Sequence, residues 1–284
     1  MIDKVILGTA QFGLDYGINN KNGQIPKKEV FKILDFCLEN GIRRIDTAGV
    51  YGNAETLIGE YINHNKGVKF EITTKIKKDS NSLNDEIEKR LNNLNVEFIE
   101  ELLFHSLDDY YFYRDQIQTC PQDKSLSFAR CGVSLYSNDE IREIIDIDYF
   151  TAVQLPFNMF DNINHRGEVI KELKNKKFNI SLRSIFLQGL FFMDLKSLPE
   201  NLKPLEKPLK KIKKLIKKYE VDTKKIAINY CLKQNVNGII IGCDSLKQLK
   251  EIIDSTLPVY NDKIFDEIDA INILETDLID PRYW

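Results

Sequence analysis

Eight short apolar runs recur along this chain, and amphipathic stretches of helical period separate most of them. The runs are VILGT (5–9), IRRID (42–46), FEITTK (70–75), ELLFH (101–105), SFARCGVS (127–134), TAVQL (151–155), FNISLRS (178–184) and GIIIG (238–242). Alternating strand and helix builds parallel βαβ units. Strands that are apolar along nearly their whole length belong to a sheet covered on both faces. Eight such units in 284 residues predict one (β/α)8 barrel, a TIM barrel, with residues 1–284 forming a single domain. The competing architecture is an open doubly wound sheet, usually marked by a glycine-rich turn after its first strand. Here the first run continues LGTAQFG, which is not GxGxxG.

Charge narrows the partners. Forty basic and 43 acidic residues leave a formal net charge of −3, so electrostatics give no reason to expect a nucleic acid or an anionic membrane. No apolar stretch approaches the length of a membrane span. Asp3 and Lys4 interrupt the opening residues, which read as a strand rather than a secretion signal. Five cysteines (37, 120, 131, 231 and 243) form no CxxC pair. They read as reduced thiols of a cytoplasmic protein, with neither a disulfide framework nor a metal site. The strongly basic segment 201–236 reads as a helix whose stripe of Leu209, Ile212, Ile216 and Tyr219 faces the core while its lysines face water. The apolar stretch 184–195 is open between core, pocket loop and partner surface. Oligomeric state is left open.

In a barrel of this kind the chemistry sits at the C-terminal ends of the strands. The second run ends in Asp46, the third in Lys75 and the fourth in His105, and Tyr51 follows Asp46 by five residues. These side chains suit one task. A phenol is a poor acid at neutral pH, and an adjacent lysine favours its ionised form. An aspartate holds the lysine, and an imidazole orients a substrate carbonyl. Together they describe a proton donor for the alkoxide that hydride delivery creates, and the hydride requires a nicotinamide cofactor. Taken singly, each residue has a plainer reading as cap, surface charge, packing aromatic or core histidine. His64 and His165 read as surface residues. Asp108–Asp109 and Glu100–Glu101 read as loop or helix-capping charges.

The segment GIRRIDTAGVYGNAE (41–55) resembles the second-strand signature of the aldo-keto reductase superfamily. The likeness continues through FEITTK, VEFIEELLFHSLDD, CGVSLYS, TAVQLPFN, LRSIFLQGLF and IAINYCLKQNVNGIIIGCDSLKQLKEI. The resemblance implies Tyr51 as general acid, tuned by Lys75 and Asp46, with His105 orienting the carbonyl. It implies a cofactor site made of Thr9, Ser134, Gln154, Arg183, Ser184, Gly189, Gly242, Ser245 and Gln248. NADPH is the expected cofactor, and NADH is the alternative. The substrate class is a small-molecule aldehyde or ketone. The start LGTAQFGLDYGI and the end DLIDPRYW resemble a bacterial branch associated with surface-sugar pathways, which implies a sugar or nucleotide-sugar ketone and a polar pocket helped by Gln11, Asp15 and Arg183.

The departures from the family pattern are specific. Leu135 stands where many members carry asparagine, and Arg183 stands where an aromatic ring usually stacks on the nicotinamide. Gly242 and Gln248 stand where a lysine and an arginine often clamp a 2′-phosphate, with Asp244 in the same loop. Two other functions share the resemblance: a non-catalytic regulator that keeps the nicotinamide as ligand, and an epimerase or dehydratase that recycles it within one turnover.

Overall fold

The computed structural model describes residues 1–20, 22–118, 127–259 and 261–284; Cys120 lies outside the described residues. The strands are β1 (Val5–Gly8), β2 (Arg44–Asp46), β3 (Glu71–Ile76), β4 (Ile99–Phe104), β5 (Phe128–Ser134), β6 (Phe150–Pro156), β7 (Asn179–Arg183) and β8 (Gly238–Gly242). Each pairs in parallel with the next, and β8 pairs with β1, so the sheet closes into an eight-stranded barrel. Along that seam Gly8 lies opposite Gly242.

The intervening helices wrap the barrel through their apolar faces. The helix Lys27–Glu39 buries Val30, Ile33, Leu34 and Cys37, the i, i+3, i+4, i+7 spacing of one helical face. The chain leaves it through Gly41 at φ +77°, a left-handed position that suits glycine. The basic helix Glu206–Tyr219 behaves as its pattern predicts. Leu209 and Ile212 are buried, Ile216 and Tyr219 pack at the edge of the core, and Leu215 joins the stripe. Each such aliphatic side chain contributes about 1.5–3 kcal/mol by leaving water. Cys37, Cys131, Cys231 and Cys243 are all buried. Among the described residues no helix is long and apolar enough to cross a membrane.

Two sequence expectations are corrected at this level. Glu100 and Glu101 are not loop or cap charges; both lie in β4. Arg130 on neighbouring β5 makes this possible by meeting Glu100 at 2.7 Å and Glu101 at 3.0 Å, so each carboxylate has a cation within the sheet. His165 is not a free surface residue. It lines a second cavity beside residues 276–283, and its Nε2 is buried without a hydrogen-bond partner. His64 is exposed, as expected. Asp108 and Asp109 occupy the first turn of the helix Leu107–Ile117, where negative charge suits the helix N-terminus.

Candidate active site

The largest concentration of functional groups lies at the C-terminal rim. Every strand ends in it: Gly8 and Thr9 after β1, Asp46 from β2, Lys75 from β3, His105 after β4, Ser134 from β5, Gln154 from β6, Arg183 from β7 and Gly242 from β8 all line one cavity. Tyr51 faces the same space from the loop after β2.

The centre of the site is a buried ion pair. Lys75 Nζ donates to Asp46 Oδ1 at 2.7 Å and Oδ2 at 2.8 Å, and to the Thr47 carbonyl at 3.0 Å. From across the barrel Gln154 Nε2 donates to Asp46 Oδ2 at 2.7 Å. Burial pulls the Lys75 ammonium below its ordinary pKa, and the Asp46 carboxylate opposes that shift. The Lys75 ammonium lies 5.1 Å from the centre of the Tyr51 ring. The Tyr51 and His105 rings meet edge to face at 6.1 Å.

Backbone contact positions Tyr51. A Cβ on Gly13 would lie 1.7 Å from the Tyr51 carbonyl oxygen, and one on Gly52 would lie 2.3 Å from the Gly13 carbonyl oxygen. Gly52 also holds φ +54°. The loop after β1 and the loop after β2 therefore touch main chain to main chain, which only glycine at both positions allows. Thr47 N and Gly49 N donate to the carbonyls of Thr73 and Lys75, tying the same loop to β3.

One expectation about the phenol is reversed. Rather than a lowered pKa, Tyr51 has a raised one: burial is the largest cause, and the Asp46 carboxylate adds to it. Lys75 is spent on Asp46 and does not offset this. Arg183 acts in the acidifying direction. His105 is pushed down to about 3 by burial, then by Lys75, Arg183 and Lys77, so its ring is neutral. Among the described residues neither the Tyr51 hydroxyl nor the His105 ring makes a hydrogen bond, and His105 Nδ1 is buried without a partner. Two polar groups thus point into the cavity with their bonding capacity unused.

The residues assigned to a cofactor divide. Ser134 Oγ lies 3.5 Å from Gln154 Oε1, so these two form one polar wall. Thr9 is fully buried, and its hydroxyl donates to the Asp46 carbonyl at 3.0 Å. Ser184 (φ +60°), Gln188 (φ +53°) and Gly189 (φ +92°) curl the chain over the cavity, while Leu187, Leu190 and Phe191 anchor the curl in the core. The stretch 184–195 is thereby both core and pocket loop. Gly242 and Gln248 line the far end with Asp244, whose backbone N–H donates to Gln248 Oε1 at 2.5 Å. Ser245 is not in the lining; its hydroxyl caps the helix Leu246–Asp254 by accepting from Gln248 N at 3.2 Å. Gln11 lines the cavity, whereas Asp15 is exposed and does not. Sequence reasoning missed Tyr16, Asn19, Asn20, Gln188 and Tyr136, which also line it; they lie in loops whose course no strand or helix pattern encodes.

The cavity fits an extended dinucleotide by its donors. Ser134 and Gln154 offer amide-matching groups at one end, and the segment 184–189, left-handed at Ser184, Leu187, Gln188 and Gly189, offers backbone beside open space. A side chain at Gly242 would meet Gln11 at 2.7 Å and narrow the far end. Among the described residues no group of three His, Cys, Asp or Glu side chains is placed to hold a metal ion.

The sequence model of the Aldo/keto reductase family matches residues 4–273. A curated aldo-keto reductase of Mycobacterium sp. (strain MCS) is 29% identical over 136 residues, covering 45% of this chain and 48% of that relative, so the match spans about half the relative's length. Among solved structures, the glycerol dehydrogenase of Gluconobacter oxydans superposes with a TM-score of 0.72 at 20% identity, covering 94% of this chain and 90% of that one. A Pseudomonas aeruginosa structure described as an aldo-keto reductase gives 0.62 at 17% identity, covering 89% and 88%. At these identities the likeness to the two structures is one of fold.

Proposed function

Because this chain belongs to the Aldo/keto reductase family, we propose that it is an NAD(P)H-dependent reductase that converts an aldehyde or ketone to an alcohol. The observation that carries this reading is the pairing of an unengaged Tyr51 hydroxyl and an unengaged neutral His105 ring above the buried Lys75–Asp46 pair. When bound, the reduced nicotinamide supplies the hydride. The chain's own groups handle the oxygen. His105 and Tyr51 hydrogen-bond the carbonyl oxygen and hold it in place. As the C=O electron pair collapses onto oxygen, Tyr51 Oη releases its proton there and the O–H bond of the product forms. A phenol that stays protonated above its ordinary range keeps that proton available, and the Arg183 charge, which acts on Tyr51 in the acidifying direction, limits the cost of the phenolate that follows.

Ser134 and Gln154 would hold the carboxamide, Thr9 the nicotinamide end, Ser184 and Gly189 the pyrophosphate, and Gly242 and Gln248 the adenosine ribose. The polar wall of Gln11, Asn19, Asn20 and Gln188 supports a hydroxylated substrate such as a sugar or nucleotide-sugar ketone. NADPH is the cofactor the resemblance favours. NADH is favoured by one observation: Asp244 lines the ribose end, and among the described residues the cations of the lining are Lys75 and Arg183. Equilibrium titration with NADPH and NADH, followed by the change in reduced-nicotinamide fluorescence, tests the reading. Binding of one of them at micromolar concentration supports it; no binding of either at millimolar concentration overturns it.

A further inference from the structure

Arg183 stands out among the charges of the rim because, among the described residues, no carboxylate pairs with it. Lys75 is matched by Asp46. Arg183 has no carboxylate within ion-pair distance among the described residues. Its guanidinium donates to the Leu135 carbonyl at 3.0 Å and lies 3.4 Å from Ser184 Oγ, both neutral. It stacks on the Tyr136 ring with 3.9 Å between the guanidinium carbon and the ring centre. The Arg282 guanidinium sits 3.6 Å from the same ring, so Tyr136 is held between two cations. Arg282 is itself fixed by Asp280 through bonds of 2.6–3.0 Å. A ring bearing negative charge on its faces attracts both guanidinium groups, and the stack keeps Arg183 in one orientation at the cavity wall.

Counted over the described lining residues at the reacting end, Asp46 and Lys75 cancel, His105 and Tyr51 are neutral, and Arg183 leaves one positive charge. Asp244, the other carboxylate of the lining, belongs to the far end with Gln248. We propose that Arg183, oriented by the Tyr136–Arg282 stack, makes the reacting end of the cavity cationic and so selects the uncharged reduced nicotinamide over the cationic oxidised form, while stabilising the negative charge that develops on the substrate oxygen. Arg183 is thus a specificity-determining residue, and Tyr136 and Arg282 are positioning residues. The same charge reaches the ionisable groups of the rim: it acts to lower Tyr16, Tyr51, Lys75 and His105 alike. This inference rests on the nicotinamide reading above.

The test is binding, separate from turnover. Dissociation constants for NADPH and NADP⁺, and for NADH and NAD⁺, are measured by calorimetry on the wild type, Arg183→Met, Arg183→Gln and Arg183→Lys. Arg183→Gln keeps amide donors for Leu135 and Ser184 and serves if the methionine variant does not fold. The wild type is expected to prefer the reduced form, and loss of the charge to cut that preference roughly tenfold, as expected for a unit charge at short range in a partly desolvated site. Arg183→Lys should keep most of the preference. Tyr136→Leu should reduce it, while Tyr136→Phe, which keeps the stack, should not. An unchanged preference in Arg183→Met or Arg183→Gln, with both forms still bound, overturns this inference alone. A wild type that binds neither form overturns it together with the reading beneath it.

Discussion

Gln154 on β6 donates its side-chain amide to Asp46 on β2 across the barrel interior, at 2.7 Å. Asp46 thereby accepts from Lys75 and Gln154 at once, and its carboxylate is fixed from two sides. Gln154→Leu removes one of these donors and leaves Asp46 Oδ2 with Lys75 alone. The expected cost is about 1–3 kcal/mol of folding free energy, read as a lowered urea midpoint with an unchanged slope.

Asp46→Asn should be more damaging. It strands the Lys75 ammonium, whose side chain is 1% exposed. Removing one partner of a buried pair costs about 3–5 kcal/mol. Adding Lys75→Met to that variant should restore part of the loss, because the stranded charge goes with it. Urea denaturation of the two single variants and the double variant forms the cycle; additive losses would refute the coupling.

Tyr51→Phe keeps the ring and removes the hydroxyl. Carbonyl reduction should fall by roughly 100-fold or more, while the cofactor dissociation constant stays within about threefold. Burial and Asp46 raise the Tyr51 pKa. Tyr51 therefore remains protonated through the ordinary range, and the alkaline limb of kcat/KM should lie above pH 10. A limb near pH 8 assigned to Tyr51 would contradict this.

Gly13→Ala tests the contact that holds Tyr51. The new methyl would overlap the Tyr51 carbonyl oxygen, which is main chain and cannot rotate away. A stability loss of about 1–3 kcal/mol is expected, with kcat falling more than cofactor affinity. In a Tyr51→Phe background the further loss of kcat should disappear.

His105 gives stability a pH dependence of known sign. Its pKa falls from the ordinary 6.5 to about 3 in the folded chain. Below pH 6.5 the unfolded chain takes up a proton that the folded chain refuses until about pH 3. Its contribution is therefore present above pH 6.5 and lost as pH falls from 6.5 toward 3. His105→Gln should flatten that part of the urea-midpoint profile relative to wild type; a profile as steep as the wild type's would rule the cause out.

The barrel was readable because each strand announces itself as an apolar, β-rich run bounded by polar helix. All eight runs overlap observed strands, usually within a residue or two. Asp46, Lys75 and His105 were readable because strand ends in a closed parallel barrel converge. The Gln154–Asp46 bond joins residues 108 apart along the chain and leaves no local trace. The Tyr51 pKa could not be read from residue types, since Lys75 looks acidifying until its neutralisation by Asp46 is seen. Ser245 and Gln248 lie three residues apart, yet only Gln248 lines the cavity, because Ser245 turns its hydroxyl to the helix end. The Tyr136 stack needs Arg282, whose arrival from 146 residues away depends on the path of the segment 276–283.

Gly8 and Gly242 face each other where β1 meets β8, and both border the cavity. An occupant of that space rests on the join between the first and the last strand, and touches both sides of it. It acts as a clasp: saturating ligand should slow parting of this edge more than that of the join between β4 and β5, so hydrogen exchange at Ile6, Leu7 and Ile241 would register occupancy before any other strand does.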